Sequence, residues 1–306
     1  MKSYKRVCAL GFFDGVHLGH SEIIKRAEEI AADMDATPCV LTFDRKPKTV
    51  LSGSAEKLIS TSECKRKLVS SLYGGVEFFV LPFSKEFSSL SAEDFVSSVL
   101  LSGVGAVAAV AGSDYRFGRG ALGDISLLKS LMPAELCETV CKDGEKVSST
   151  LIRKKLKDGD FDSAVELLGH PFLLNGKVGH GDGRGHNIGF ATLNLPFNDE
   201  QLYPQNGVYA SFTQVDGEIF PSVTNLGNRP TFYDEGQFTN ETHLIGANTL
   251  LYGKDVWVWL CSYLRPEKRF DSASELKTQV DVDISRALNV FNERSALIEK
   301  IRRNFK

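Results

Sequence analysis

Nearly continuous apolar runs alternate with helix-period segments through the first half of the chain. The runs Val7–Leu10, Cys39–Phe43, Phe78–Leu81, Ala106–Ala111 and Leu136–Val140 read as strands covered on both faces. Between and after them lie helical patterns over Ser21–Met34, Ser62–Leu72, Ala92–Leu101, Ile125–Met132, Ser149–Lys157 and Phe161–Leu168. In the first of these, Ile23, Ile24, Ala27 and Ile30 share one face. Such alternation predicts an α/β domain with a parallel sheet and helices on both faces. Ligands in sheets of this kind bind beyond the C-terminal strand ends.

The texture changes at Gly169-His170-Pro171-Phe172. Short strand-like segments follow at Leu173–His180, Ile188–Leu195, Gly207–Val215, Glu218–Leu226, Thr242–Ile245 and Val256–Leu264, separated by Gly and Asn. Val215-Asp216-Gly217-Glu218 reads as a hairpin turn. This spacing predicts a small closed antiparallel β-barrel. A C-terminal helix is expected from a cap at Ser272 or Ser274 to about Arg303, with a break near Asp281–Asp283. The pattern divides the chain into domains of residues 1–168 and 169–306.

Composition narrows the class. A chain of 306 residues is long enough for two cores, and 36 Lys+Arg against 39 Asp+Glu leave no basic excess to bind nucleic acid. No apolar leader and no membrane-length apolar run stand in the sequence. The six cysteines form no Cys-x-x-Cys pair, and Cys8 and Cys39 lie inside strand runs. Reduced thiols in a cytoplasmic protein follow from this. A monomer is the expected state.

Candidate chemistry begins with Gly11-Phe12-Phe13-Asp14-Gly15-Val16-His17-Leu18-Gly19-His20, set between the first strand and the first helix. Two histidines three apart at a helix start point to the same side. Unpaired backbone N–H groups and the positive helix end lie there as well. Gly15 and Gly19 admit close approach of a ligand. Together these features suit a nucleotide polyphosphate. A zinc site would need a third ligand, and none stands at suitable spacing. A later segment, Lys146-Val147-Ser148-Ser149-Thr150-Leu151-Ile152-Arg153, opens a helix behind a lysine.

These two segments resemble the His-x-Gly-His and basic-x-Ser-Ser/Thr-Thr signatures of the nucleotidylyltransferases. With Ala111-Gly112-Ser113-Asp114-Tyr115-Arg116-Phe117-Gly118 and the whole C-terminal half, the chain looks like the bacterial bifunctional riboflavin kinase/FMN adenylyltransferase (FAD synthetase) family over roughly residues 5–285. The resemblance implies a Rossmann-like nucleotidylyltransferase domain followed by a riboflavin-kinase barrel. It implies adenylylation of FMN to FAD in the first domain, with Gly11, Asp14, Gly15, Asp114, Lys146, Ser149, Thr150 and Arg153 around the nucleotide. His17 and His20 would stabilise charge at the reacting phosphates. In the second domain it implies phosphorylation of riboflavin to FMN. Gly176, Gly181 and Gly185 of a Gly-rich loop, with Asn206, would hold the nucleotide. Thr192 and Asn194 of Ala191-Thr192-Leu193-Asn194 would hold Mg²⁺, Glu241 would be the general base, and Arg265, Glu267 and Phe270 would lie near the flavin. The partners implied are riboflavin, FMN and ATP.

The chain departs from the family pattern at three places. Arg45 and Lys46 replace the Pro and His of Thr-Phe-x-Pro-His-Pro, Ala191 replaces a Pro, and Gly246 stands where Asp is more usual. None removes a residue assigned to chemistry. Two alternatives stay open: a riboflavin kinase whose first domain no longer transfers adenylyl groups, and a non-catalytic flavin- or nucleotide-binding regulator.

Overall fold

The computed structural model describes residues 4–53, 56–179, 192–229, 237–247 and 251–304. It forms two compact units, Met1–Leu151 and Ile152–Lys306.

The first unit opens with β1 (Arg6–Leu10), α1 (Leu18–Asp33) and β2 (Thr37–Phe43), followed by a short α2 (Pro47–Ser52) and α3 (Ser62–Leu72). β3 (Glu77–Leu81) leads to α4 (Ala92–Asp94), which passes into a π-helical stretch, Phe95–Val104. β4 (Ala106–Gly112), α5 (Ile125–Leu131) and β5 (Ala134–Cys137) complete a five-stranded sheet in the order β3-β2-β1-β4-β5, parallel throughout. The strand order turns back between β1 and β4. The segments leaving these two strands therefore emerge side by side at the switch point, where such sheets bind ligands.

Parallel crossovers bury β1 on both faces, so Val7, Cys8, Ala9 and Leu10 are all lost to solvent. Small residues in β4 admit α1, whose Ile23, Ile24, Ala27 and Ala31 are buried. Phe95, Val96 and Leu100 join Leu10, Leu41 and Ala109 in one core cluster. All six cysteines are free thiols, including the register neighbours Cys8 and Cys39.

The last strand of this sheet starts earlier than the apolar run suggested. Residues beyond Cys137 instead enter a small hairpin, β6 (Cys141–Lys142) and β7 (Glu145–Lys146). Asp143 and Gly144 turn it, both with positive φ (52° and 80°), the signature of a tight hairpin turn.

The second unit contains most of α6 (Ser149–Lys157) and all of α7 (Phe161–Leu168), then β8 (Phe172–Lys177), β9 (Thr192–Asn194), β10 (Gly207–Val215), β11 (Glu218–Arg229), β12 (Gln237–Leu244) and β13 (Asp255–Arg265). The strands form an antiparallel sheet in the order β8-β13-β10-β11-β12-β9. A bridge from Gly179, two residues past β8, to Asn194 in β9 brings the two edges of this curled sheet together. Gly176 serves the same closure, since a Cβ there would lie 3.1 Å from the Pro196 ring. One sheet face carries linked hydroxyls: Ser211 to Ser222 and Thr224, Thr213 to Ser222, and Thr224 to Thr242, at 2.8–2.9 Å. The opposite face, through Phe212, packs on Phe291 of α8 (Ala273–Glu293).

Helix α8 is capped by Ser272, which accepts the Glu275 N–H. It runs unbroken through residues 281–283, where the charge run suggested a break. Asp283 turns inward and is buried against Arg265, so the acidic residues do not interrupt the helix. The interruption falls at Arg294, before α9 (Ser295–Arg303).

Gly207 has φ +148°, and a Cβ there would lie 2.5 Å from the Tyr263 ring and 2.7 Å from the Arg265 carbonyl. Gly207→Ala should destabilise the second unit by about 2–4 kcal/mol. Chemical denaturation followed by tryptophan fluorescence checks this, both tryptophans (Trp257 and Trp259) lying in β13.

Candidate active sites

In the first unit the chain leaves β1 through a contorted segment. Phe13 (φ 55°), Gly15 (φ 85°) and Val16 (φ 42°) adopt left-handed conformations. For a β-branched residue such as Val16 that is strained, and strain of this kind persists only where the surroundings over-determine it. Asp14 is one clamp. Its buried carboxylate accepts the Ser60 N–H at 3.0 Å, and its carbonyl accepts the Ser149 hydroxyl at 2.9 Å. Phe13 and Val16, both fully buried, are another.

His17 is the N-cap of α1, so this helix begins three residues earlier than the hydrophobic period implied. Its Nδ1 accepts the His20 N–H at 3.4 Å. The two imidazoles stack, with centroids 3.6 Å apart and planes 17° apart. Burial, and then the nearby charges of His17 and Lys65, push the His20 pKa well below the ordinary imidazole value. His20 is therefore neutral at pH 7, and its buried Nδ1 has no hydrogen-bond partner among the described residues.

The late segment meets this loop. A Cβ on Gly19 would lie 3.3 Å from the His17 ring and 3.6 Å from the Val147 carbonyl. Ser148 caps the start of α6 by accepting the Leu151 N–H at 3.2 Å, while Thr150 stays exposed. Lys146 pairs with Asp114 at 3.0 Å on the surface. Arg153, a turn further along α6, is buried. Gly11 is half-buried, and a Cβ there would lie 3.1 Å from the Phe13 ring. In the departing loop after β2, Arg45 is exposed, and Lys46 pairs with Glu56 and precedes α2 as its N-cap.

Sequence reasoning missed two features here. One is a cavity of about 380 Å³ lined by Phe43, Phe83, Phe87, Phe95, Tyr115 and Phe117 among others. Phe43 meets Phe83 and Phe87 edge-on, at 5.2 and 5.4 Å. The signal was present, since Phe43 ends β2 and Phe83 and Phe87 follow β3, but separate phenylalanines read as core. The other is Lys65 of α3, wholly buried beneath the loop.

In the second unit, strand register assembles the site. Asn194 of β9 faces Glu241 of β12, which faces Asn225 of β11, then Val208 of β10 and Arg265 of β13. Thr192 faces His243 in the same way. Alternation puts these side chains on one sheet face. Thr192, Asn225, Glu241, Arg265, Glu267 and Phe270 line a cavity of about 490 Å³, bounded also by Leu276, Val280 and Asp283 of α8.

Asp283, almost wholly buried, receives Arg265 through both Nε and Nη2 at 2.8–3.1 Å. It also accepts Gln279 Nε2 at 3.0 Å. Asn225 donates to Glu267 at 3.2 Å, and its buried Oδ1 has no partner among the described residues. The Phe270 ring lies 5.8 Å from the Arg265 guanidinium and 5.4 Å from the Lys268 ammonium. Asn206 is exposed just before β10. Gly176 lies within β8 rather than in a loop. Gly181, Gly185 and Ala191 fall outside the described residues. Gly246 occupies a left-handed turn (φ +78°) that suits glycine better than the usual Asp.

Comparison with known proteins covers both units. Residues 1–151 match a family model described as FAD synthetase, and residues 168–291 one described as riboflavin kinase. A Bacillus subtilis protein named bifunctional riboflavin kinase/FMN adenylyltransferase is 35% identical over 296 residues, covering 94% of this chain and 93% of the relative. An Escherichia coli K12 protein of the same name is 34% identical, covering 90% of each chain. A solved structure titled as a macrolide-efflux protein from Streptococcus pneumoniae superposes with a TM-score of 0.79 at 30% identity, covering 94% of this chain and 95% of that one.

Asp283→Ala should leave Arg265 without its partner and destabilise the second unit by about 3 kcal/mol, the scale for breaking a buried ion pair. Urea denaturation measures this.

Proposed function

The chain belongs to the bifunctional riboflavin kinase/FMN adenylyltransferase family, and from that premise we propose how its two units divide the chemistry. The first transfers an adenylyl group from ATP to FMN, giving FAD and pyrophosphate. The second transfers the γ-phosphoryl group of ATP to riboflavin, giving FMN and ADP.

In the first unit the FMN phosphate attacks the α-phosphorus of ATP. That nucleophile is already an anion, so no strong general base is required. Positioning and charge stabilisation carry the reaction. The loop after β1 and the N-terminus of α1 offer backbone N–H groups to the polyphosphate. His17 and His20 contact the reacting phosphates, His20 as a neutral imidazole. Lys146, Ser149, Thr150 and Arg153 serve the leaving pyrophosphate, and Asp114 the nucleotide sugar or flavin. The Ser149 hydroxyl donates to the Asp14 carbonyl, so it must turn from that carbonyl to donate to a pyrophosphate oxygen. The phenylalanine-lined cavity suits an isoalloxazine ring, which needs a flat apolar slot.

In the second unit the juxtaposition of Glu241 with Asn194 carries the reading. A ribityl hydroxyl is a poor nucleophile, and Glu241 takes its proton as the bond to phosphorus forms. The kinase reaction calls for a divalent metal. Thr192 and Asn194 present a hydroxyl and an amide oxygen from one strand face, neutral hard donors that fit Mg²⁺. Bound there with ATP, Mg²⁺ would neutralise phosphate charge. The buried Asn225 Oδ1 is an acceptor available to a flavin N–H. Arg265 and Phe270, held by Asp283 and α8, border the flavin.

The pneumococcal structure carries an efflux title; among the described residues here, no helix is long and apolar enough to cross a membrane. Six free thiols fit a cytoplasmic setting.

Product analysis tests the assignment, with Mg-ATP and either riboflavin or FMN supplied to the purified protein. FMN from riboflavin and FAD from FMN are expected. Glu241→Gln should slow FMN formation by about 10²–10⁴-fold and leave FMN-to-FAD conversion intact. His20→Ala should do the reverse, with a loss of about 10²-fold or more. Equal loss of both activities in either variant would overturn the two-site assignment.

A further inference from the structure

Lys65 is a charged group in the first unit that the chemistry above leaves unused. It lies on α3 just past the Thr61 cap and is wholly buried. Its Nζ donates to the Phe12 carbonyl at 3.1 Å and to the Phe43 carbonyl at 3.4 Å, and sits 3.9 Å from the centre of the Phe12 ring. Those carbonyls stand where the chain leaves β1 for the His17–His20 loop and leaves β2 for the Arg45-Lys46 loop. No carboxylate among the described residues forms an ion pair with it, although Asp14 and Asp44 attract it at longer range.

Leaving an ammonium in the interior without an anion is costly. A neutral donor would satisfy two carbonyls as well, and the Thr42 hydroxyl already bonds the Phe12 carbonyl at 2.9 Å. The charge itself therefore needs an account. The loop that Lys65 underlies ends in the N-terminus of α1, a place suited to an anion.

We propose that Lys65 is a positioning residue for adenylyl transfer. It holds the Phe12 and Phe43 carbonyls away from the ligand, so that the loop's N–H groups and histidines meet the polyphosphate, and it sets a fixed positive charge behind that anion. This role rests on the reading of the first unit as an adenylyltransferase. The same charge helps to keep His20 neutral in the free enzyme.

The groups facing Lys65 define its titration. Asp14 from the loop after β1 and Asp44 from the loop after β2 favour the ammonium, while burial outweighs them and lowers its pKa to about 8. His20 of α1 faces it as a neutral ring. On α3 itself Lys67 is also lowered to about 8 by burial. A lysine lowered in this way is charged below about pH 8 and loses its charge as the pH rises through that value.

The test compares full-length wild type, Lys65→Arg and Lys65→Met with Mg-ATP and FMN, reading kcat/KM for ATP between about pH 6.5 and 9.5. Wild type should lose kcat/KM as the pH rises through about 8. Lys65→Arg should keep the activity and lose this alkaline limb, since a guanidinium stays charged throughout. Lys65→Met should fall by about tenfold or more at pH 7, the scale of losing a group that orients direct contacts, and should show no limb near pH 8. Riboflavin phosphorylation should be unchanged in all three. An unchanged alkaline limb in Lys65→Arg, or wild-type kcat/KM in Lys65→Met, would overturn the role. So would a loss in Lys65→Met that Lys65→Arg does not restore, which would mark a purely structural prop. Wild type that makes FMN from riboflavin but no FAD would overturn the adenylyltransferase reading itself, and this role with it.

Discussion

The pairing of Glu241 with Asn194 across β12 and β9 governs the second unit. Side chains on a strand alternate between faces, so one register decides which residues can meet. A slip of one residue would turn Thr192, Asn194 and Glu241 onto the face that carries the Ser211–Thr242 hydroxyl network. The row from Asn194 to Arg265 crosses five strands, and its members lie far apart in the sequence. The Gly179–Asn194 bridge ties β9 to the far edge of the sheet. Asn194 therefore takes part both in that bridge and in the polar row.

Helix α8 links stability to the site in the same way. It covers the sheet through Phe291 on Phe212, and its Asp283 holds Arg265 at the edge of the cavity. A single buried carboxylate thus anchors the helix and orients a cation.

The first unit meets a different constraint. Its loop after β1 adopts φ values that L-residues resist, at Phe13 and Val16. Asp14, Ser149 and Ser60 hold the loop from one side, and Thr42 and Lys65 from another. The stacked histidines add an electrostatic condition. Two imidazolium rings 3.6 Å apart would repel, and burial keeps His20 neutral instead. The loop thus carries the helix N-terminus and a neutral imidazole, with the Lys65 ammonium beneath it.

Much of this was legible in the chain. Uninterrupted apolar runs predicted the parallel sheet, because strands buried on both faces need apolar side chains at every position. The Asp216-Gly217 turn and the short segments around it predicted antiparallel strands. The glycines and histidines after β1 marked the turn into α1, since a helix start and tight backbone can be read from local order. Local order did not reveal the uninterrupted course of α8, because Asp283 reads as polar until Arg265, 18 residues away, buries it. It hid the phenylalanine cavity, whose rings come from the end of β2, the stretch between β3 and β4 and the loop after β4, and look like core one at a time. It hid Lys65, which reads as a surface lysine on an amphipathic helix. Sequence by itself determined which residue types could do chemistry and which elements would carry them, because backbone propensity and periodicity are local. Tertiary structure alone decided which of those residues share a strand row, a cavity or a buried charge, because these depend on pairings between distant parts of the chain.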